Sequence, residues 1–191
     1  MEKYEEKFEF SDNNNILIKN ILKKYPVRQS ASAVMPLLDL AMRQCNGWIP
    51  ESAMKKIGNI INIPFIKVYE VATFYSMFNL RPVGKYLVQF CTTTPCWLKG
   101  SDNLLEICKK HLNINIGQTT EDNIFTLKEV ECLGACVNAP MIQINDDYFE
   151  DLNSETLIQL LNNLKNNKDV KVGTQINGRK GSEPYVIKQE K

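Results

Sequence analysis

Histidine is nearly absent from this chain of 191 residues: His111 is the only one. It falls at the end of a predicted helix, where a cation is favoured by the helix dipole, and a ligand role for it is not expected. No apolar run approaches the length needed to span a bilayer. Charge of one sign is also lacking. The chain has 23 Lys and Arg against 22 Asp and Glu, for a net charge of +1. That excludes a strong electrostatic case for nucleic acid or an anionic membrane surface as partner. There is no C-x-x-C pair, which dithiol–disulfide reductase chemistry requires. There is no G-x-G-x-x-G and no phosphate loop, so no nucleotide site of its own is expected. The opening Met-Glu-Lys-Tyr-Glu-Glu-Lys has neither the apolar stretch of a secretory signal nor the Arg-rich, acid-poor bias of a transit peptide. The chain is expected to stay in the compartment where it is made.

What is present suffices for a real core: 43% of residues are hydrophobic and 24% charged, both near the globular average. Six cysteines stand at 45, 91, 96, 108, 132 and 136. In a reducing compartment, closely spaced thiols are more often metal ligands or redox groups than disulfides.

Periodicity divides the chain into an α+β pattern. Residues 1–10 read as a loose charged start. Ser11 or Asp12 caps a helix through Ile16, Ile18, Ile21 and Leu22, stopped by Pro26. A second helix is expected from Ser30 to Gln44, bent at Pro36. Pro50 opens a third and Pro64 a fourth, the latter ending near Met77. Beyond residue 80 the pattern becomes β, α, β, β, α. Tyr86 to Cys91 is a strand, then comes a helix from Ser101 or as early as Pro95, then strands at Phe125 to Val130, Met141 to Asn145 and Asp147 to Phe149, then a helix from Glu155 to Leu164. After Asn166 the chain turns polar and glycine-bearing. The expected division is therefore a helical segment 1–80, a mixed domain 81–166 and an extended tail 167–191 that gains order only against a partner.

Four cysteines form two pairs, Cys91-Thr-Thr-Thr-Pro-Cys96 and Cys132-Leu-Gly-Ala-Cys136, each directly after a predicted strand. Two neighbouring strands ending at one edge would bring all four thiolates together. Both spacings fall within the range of tetrahedral zinc sites, so spacing alone leaves zinc open. A [2Fe–2S] rhomb places two thiolates on each iron and suits two separate chelating loops. Pro95 stiffens the first loop, and Gly134 lets backbone N–H groups approach sulfur in the second. Such bonds matter because four thiolates, two sulfides and two ferric ions sum to a charge of −2, and one added electron makes −3. A cluster of the Rieske type needs two histidines and is excluded.

These motifs carry a resemblance. The two cysteine pairs, with the flanks Thr-Thr-Thr-Pro-Cys-Trp and Glu-Val-Glu-Cys-Leu-Gly-Ala-Cys, resemble the family of the 24 kDa flavoprotein subunit of respiratory complex I, the NADH:quinone oxidoreductase. Val71-Ala-Thr-Phe-Tyr-Ser-Met-Phe78 and Ala139-Pro-Met-Ile-Gln-Ile-Asn145 extend the likeness, which covers roughly residues 15–165. The tail around Gly178-Arg-Lys-Gly-Ser-Glu-Pro is similar to the mitochondrial and proteobacterial form. The resemblance implies a thioredoxin-like [2Fe–2S] ferredoxin domain, with one [2Fe–2S] cluster on Cys91, Cys96, Cys132 and Cys136. It implies a helical N-terminal part packed on the partner subunit that binds FMN and NADH, and membership with the large iron–sulfur subunit in complex I. It implies one-electron transfer from reduced FMN, off the main electron path, with no activity by the chain alone. The complex would lie peripherally on the cytoplasmic side of the bacterial inner membrane, or on the matrix side in an organelle. Equivalent subunits occur in NAD-reducing hydrogenases and formate dehydrogenases, and a zinc-stabilised interaction domain is the rival from another class.

The remaining candidates have blander readings. Cys45 and Cys108 are expected to be small core residues. Trp97 either shields the site or packs in the core. Phe74, Tyr75 and Phe78 form a core or interface stripe, and Lys99, Glu129 and Glu131 are expected to be solvated.

Overall fold

A computed structural model describes residues 7–182. The charged start at 1–6 and the end of the expected tail, 183–191, lie outside the described residues. Proline and capping side chains punctuate the first part of the chain into four helices: α1 (Asp12–Leu22), α2 (Val34–Gln44), α3 (Glu51–Ile61) and α4 (Phe65–Phe74). The Ser11 hydroxyl accepts the Asn14 N–H at 3.3 Å and so caps α1. Pro50 and Pro64 immediately precede α3 and α4, with extended backbone that ends any preceding helix.

Three details depart from the expectation. Residues 7–10 are not loose, because Phe8 and Phe10 are buried and pack edge to face at 4.8 Å. The helix expected from Ser30 begins only at Val34, after a 3-10 stretch Val27–Ala33. Pro36 explains this: it offers no N–H, and its ring clashes with the carbonyl four residues earlier, so α-geometry cannot run back through Ser32. Finally, α4 stops at Phe74, because Tyr75 turns extended (φ −90°, ψ 110°). The turn sends Phe78 into the core, at 5% exposure, and leaves Phe74 79% exposed, so the aromatic stripe splits.

The core of this unit is built from Leu37, Leu38 and Ala41 of α2, Ala53, Met54 and Ile57 of α3 and Val68 and Ala72 of α4, with Ile49 and Cys45. Each fully buried Leu or Ile contributes about 1.5–3 kcal/mol by leaving water. Gly58 lies against the turn that joins α3 to α4. A Cβ there would stand 2.9 Å from the Ile63 carbonyl oxygen.

The chain divides into two compact units between Val83 and Gly84. The second holds a five-stranded sheet in the order β2-β1-β3-β4-β5. Its strands are β1 (Tyr86–Cys91), β2 (Phe125–Val130), β3 (Ile142–Ile144), β4 (Asp147–Glu150) and β5 (Gly173–Thr174), and its helices α5 (Thr94–Leu98), α6 (Ser101–Leu112) and α7 (Ser154–Lys165). The helix expected from Pro95 or Ser101 is thus two helices, parted by a turn at Lys99 and Gly100. Parallel β1 and β2 require a crossover, and α6 provides it. β3 runs antiparallel to β1 and to β4. Val88 and Phe90, two apart on one sheet face, share a core with Phe125, Leu127, Leu104, Leu105 and Cys108 of α6, and Leu157, Leu160, Leu161 and Leu164 of α7. Asn153 and Thr156 cap α7 reciprocally.

The segment after Asn166 differs from the expected partner-dependent tail. Gly173–Thr174 adds to β4 as a parallel edge strand, Phe149 facing Gly173 and Glu150 facing Thr174. Its polar residues do not face only water. They bond to acids at the end of β4, a destination that composition alone does not reveal. No helix among the described residues is long and apolar enough to cross a membrane.

Two expectations follow from the cores. Gly58→Ala should gain about 1 kcal/mol in helix propensity but lose more to displacing the Ile63 carbonyl in the turn after α3, for a net loss of about 1–2 kcal/mol on chemical denaturation. Burial pushes the Cys45 thiol up to about 11 and the Cys108 thiol up to about 12. Both are therefore protonated at neutral pH, and iodoacetamide at pH 8 should label them only after unfolding, read by peptide mass mapping.

Candidate metal centre

The register of β1 on β2 runs from Tyr86–Phe125 to Cys91–Val130. Two parallel strands ending level with each other release their following loops from the same end of the sheet. From β1 the chain passes Thr92 and Thr93 into α5, which carries Cys96. From β2 it passes Glu131 into the loop Cys132-Leu-Gly-Ala-Cys136, then into a short 3-10 turn Cys136–Asn138. The peptide between Ala139 and Pro140 is cis, and β3 returns alongside β1 with Phe90 opposite Ile142. Met141 therefore sits beside the first thiol pair, in a small cluster with Cys91, Cys96 and Ala135.

All six cysteines are free thiols. Cys91 and Cys96 are buried, whereas Cys132 and Cys136 are exposed, with their sulfurs 3.6 Å apart. A disulfide would need about 2.05 Å. The Cys91 sulfur lies 3.3 Å from the Thr93 hydroxyl. The Gly134 N–H points at the Cys132 sulfur, with nitrogen 3.4 Å away. Gly134 takes φ +84°, a left-handed conformation that costs other residues energy, so glycine suits this turn of the loop. The Leu133 N–H bonds to Cys91 and the Met141 N–H to Cys96. The Tyr148 hydroxyl donates to the Leu133 carbonyl at 2.7 Å and pins the middle of the second loop.

The four thiols sense one another. Burial acts to raise the pKa of Cys91, but the Thr93 hydroxyl and backbone, with the Leu133 amide, pull it below the ordinary thiol value. Burial, then a hydrogen bond with Cys91, pushes Cys96 up to about 12. Cys136 is raised, first by its hydrogen bond with Cys132. Tyr148 is raised by burial and then by the negative charges of Glu150, Cys132 and Cys91. Within the first pair the two sulfurs are thus pushed in opposite directions, Cys91 down and Cys96 up. A metal ion displaces thiol protons and ionises every thiol at once. Two thiol pairs on two separate loops match the demand of a [2Fe–2S] rhomb, in which each iron takes two thiolates.

The other candidates fall elsewhere. Cys45 and Cys108 are in the two cores. His111 has its Nε2 3.1 Å from the Asn162 Oδ1. Trp97 is 55% exposed, so it is not a core residue. Lys99 and Glu131 are exposed, as expected. Glu129 is exposed too, but it also accepts the Thr92 hydroxyl at 2.7 Å, linking the first loop to β2. Sequence reasoning missed Thr93, Met141 and Tyr148. The run of threonines before Pro95 is a usable signal for the first, while the other two approach the site only through strand pairing.

Comparison with known proteins agrees with this geometry. The profile of the family described as thioredoxin-like [2Fe-2S] ferredoxin matches residues 18–165. A subunit of NADH-quinone oxidoreductase from Rickettsia felis is 55% identical over 159 residues, 83% of this chain and 95% of that protein. The mitochondrial NADH dehydrogenase [ubiquinone] flavoprotein 2 of Dictyostelium discoideum is 53% identical over 176 residues, 92% of this chain and 71% of that protein. The crystal structure of an air-oxidised NAD+-reducing [NiFe]-hydrogenase shares the fold, with a TM-score of 0.60 and 21% identity over 68% of this chain and 23% of that one. With a matching profile across most of the chain and relatives at this identity, the chain belongs to the thioredoxin-like [2Fe-2S] ferredoxin family.

Proposed function

We propose that this chain is the one-electron carrier subunit of an NADH-oxidising, quinone-linked complex of the complex I type, with its [2Fe–2S] cluster on Cys91, Cys96, Cys132 and Cys136. The observation that supports the reading is that two cysteine pairs sit on loops leaving the same end of the sheet, after parallel β1 and β2. It is joined by 53–55% identity to subunits named for NADH oxidation. The cluster, when bound, supplies a site that takes up and returns single electrons.

The chain's own residues do the rest. Cys91 and Cys96 would hold one iron from inside the fold, and Cys132 and Cys136 the other from the surface. The N–H groups of Leu133, Gly134 and Met141 donate to sulfur and offset negative charge that would otherwise oppose reduction. The helices α1–α4 of the first unit pack on the partner flavoprotein that binds FMN and NADH. The sheet unit, which begins at Gly84, takes electrons from reduced FMN there. The large iron–sulfur subunit completes the surroundings. The assembly sits peripherally on the cytoplasmic face of the inner membrane, or the matrix face in an organelle, and the chain does not oxidise NADH alone.

Replacing any of the four cysteines with serine should cost at least about tenfold in iron retained per chain, while Cys45→Ser and Cys108→Ser keep iron and sulfide near two of each. Iron, zinc and sulfide counts on anaerobically purified protein check this, and one zinc with no sulfide would overturn it. The reduced wild-type protein should give a one-electron paramagnetic signal by EPR. NADH oxidation by the isolated chain should stay at background.

A further inference from the structure

Glu150 is a fully buried acid at the end of β4, with 0% exposure. Both of its oxygens act as acceptors. Oε2 takes the Asn138 side-chain N–H at 2.9 Å, the Ser182 backbone N–H reaches both oxygens at 3.0 and 3.2 Å, and the Ser182 hydroxyl bonds Oε1. Asn138, itself 2% exposed, is the second residue after Cys136. Its other contacts close a ring. Its side chain also donates to the Lys180 carbonyl at 2.8 Å, and its own carbonyl accepts the Asp151 N–H at 2.8 Å. One residue from Cys136, the Val137 carbonyl accepts Arg179 Nη2 at 2.5 Å. The same guanidinium pairs through Nη1 with the Asp151 carboxylate at 2.9 Å, a side chain only 3% exposed. Thr174 Oγ1 donates to the other Asp151 oxygen at 2.5 Å. Each bond in this ring thus joins two of three places: the exit of the second cysteine loop, the end of β4 and the segment 174–182.

We infer that Glu150, with Arg179 and Ser182, is a positioning residue: the segment 174–182 is a strap that holds the Cys132–Cys136 loop in its metal-binding shape. The inference rests on the four-cysteine assignment proposed above. The loop needs an outside support because its two sulfurs are exposed and only Ala135 is fully buried, with Leu133 half-buried beside it. Charge-assisted bonds to a buried carboxylate are among the stronger polar contacts available, and losing one partner leaves the others unsatisfied. Glutamine at 150 would keep the size but replace one acceptor oxygen with a donor group facing donors.

The test uses the full-length chain loaded with its cluster. Glu150→Gln and Arg179→Ala should lose visible absorbance to an iron chelator on the order of tenfold to hundredfold faster than wild type, and the EPR line of the reduced protein should shift or broaden. The Arg179 side chain is 40% exposed, so that variant tests the strap even where Glu150→Gln fails to fold. Leu164→Ala serves as the control. It removes core volume at the far end of α7, next to Lys165, whose ammonium reaches Asp122 ahead of β2 at 3.3 Å. It should lower the melting temperature yet keep the wild-type EPR line and cluster lifetime. Wild-type lifetime and line shape in both strap variants, or cluster loss that only tracks melting temperature as in Leu164→Ala, would overturn the strap. Full cluster retention in Cys136→Ser would instead overturn the ligand assignment beneath it.

Discussion

Parallel pairing of β1 with β2 is the contact on which the arrangement of sulfurs depends. The pairing ends with Cys91 level with Val130, so the two cysteine loops start from adjacent rungs of one ladder. A register shift of one residue would turn Cys91 to the other face of the sheet and separate the pairs. The register is itself held by burial, since Val88, Phe90, Phe125 and Leu127 are all within 1% exposure on the face covered by α6 and α7. Hydrophobic packing on one side of the sheet thus sets electrostatics at its end.

The main elements are readable from the sequence because their signals are local. The limits of β1 and β2 follow from short β-rich runs, and the starts of α3 and α4 from Pro50 and Pro64. The four site cysteines stand out by spacing. What cannot be read depends on contacts distant along the chain. Nothing near Met141 says that its amide will meet Cys96, because that meeting requires β3 to return beside β1. Pro36 does signal an irregularity, but it is the origin of the 3-10 stretch before α2 rather than a bend within a longer helix. The segment 167–182 misleads because polarity is not the same as solvent exposure: its polar atoms complete a buried network around Glu150 and Asp151.

The units solve different problems. The helical unit is ordinary close packing, with Leu37, Leu38, Ile49 and Ile57 fully buried and a tight contact at Gly58. The sheet unit keeps an apolar core on one part of its surface and two thiol pairs at one end. Its supporting contacts there are mostly main-chain amides and polar side chains. Amide dipoles can soften negative charge without adding a mobile cation, and so leave the site's net charge free to change by one electron.

Because one thiol pair is buried and the other is open to water, the site has a front and a back. Any small reagent entering from water meets Cys132 and Cys136 before it meets Cys91 and Cys96. Oxidation of the free chain should therefore begin at the front, on the second loop.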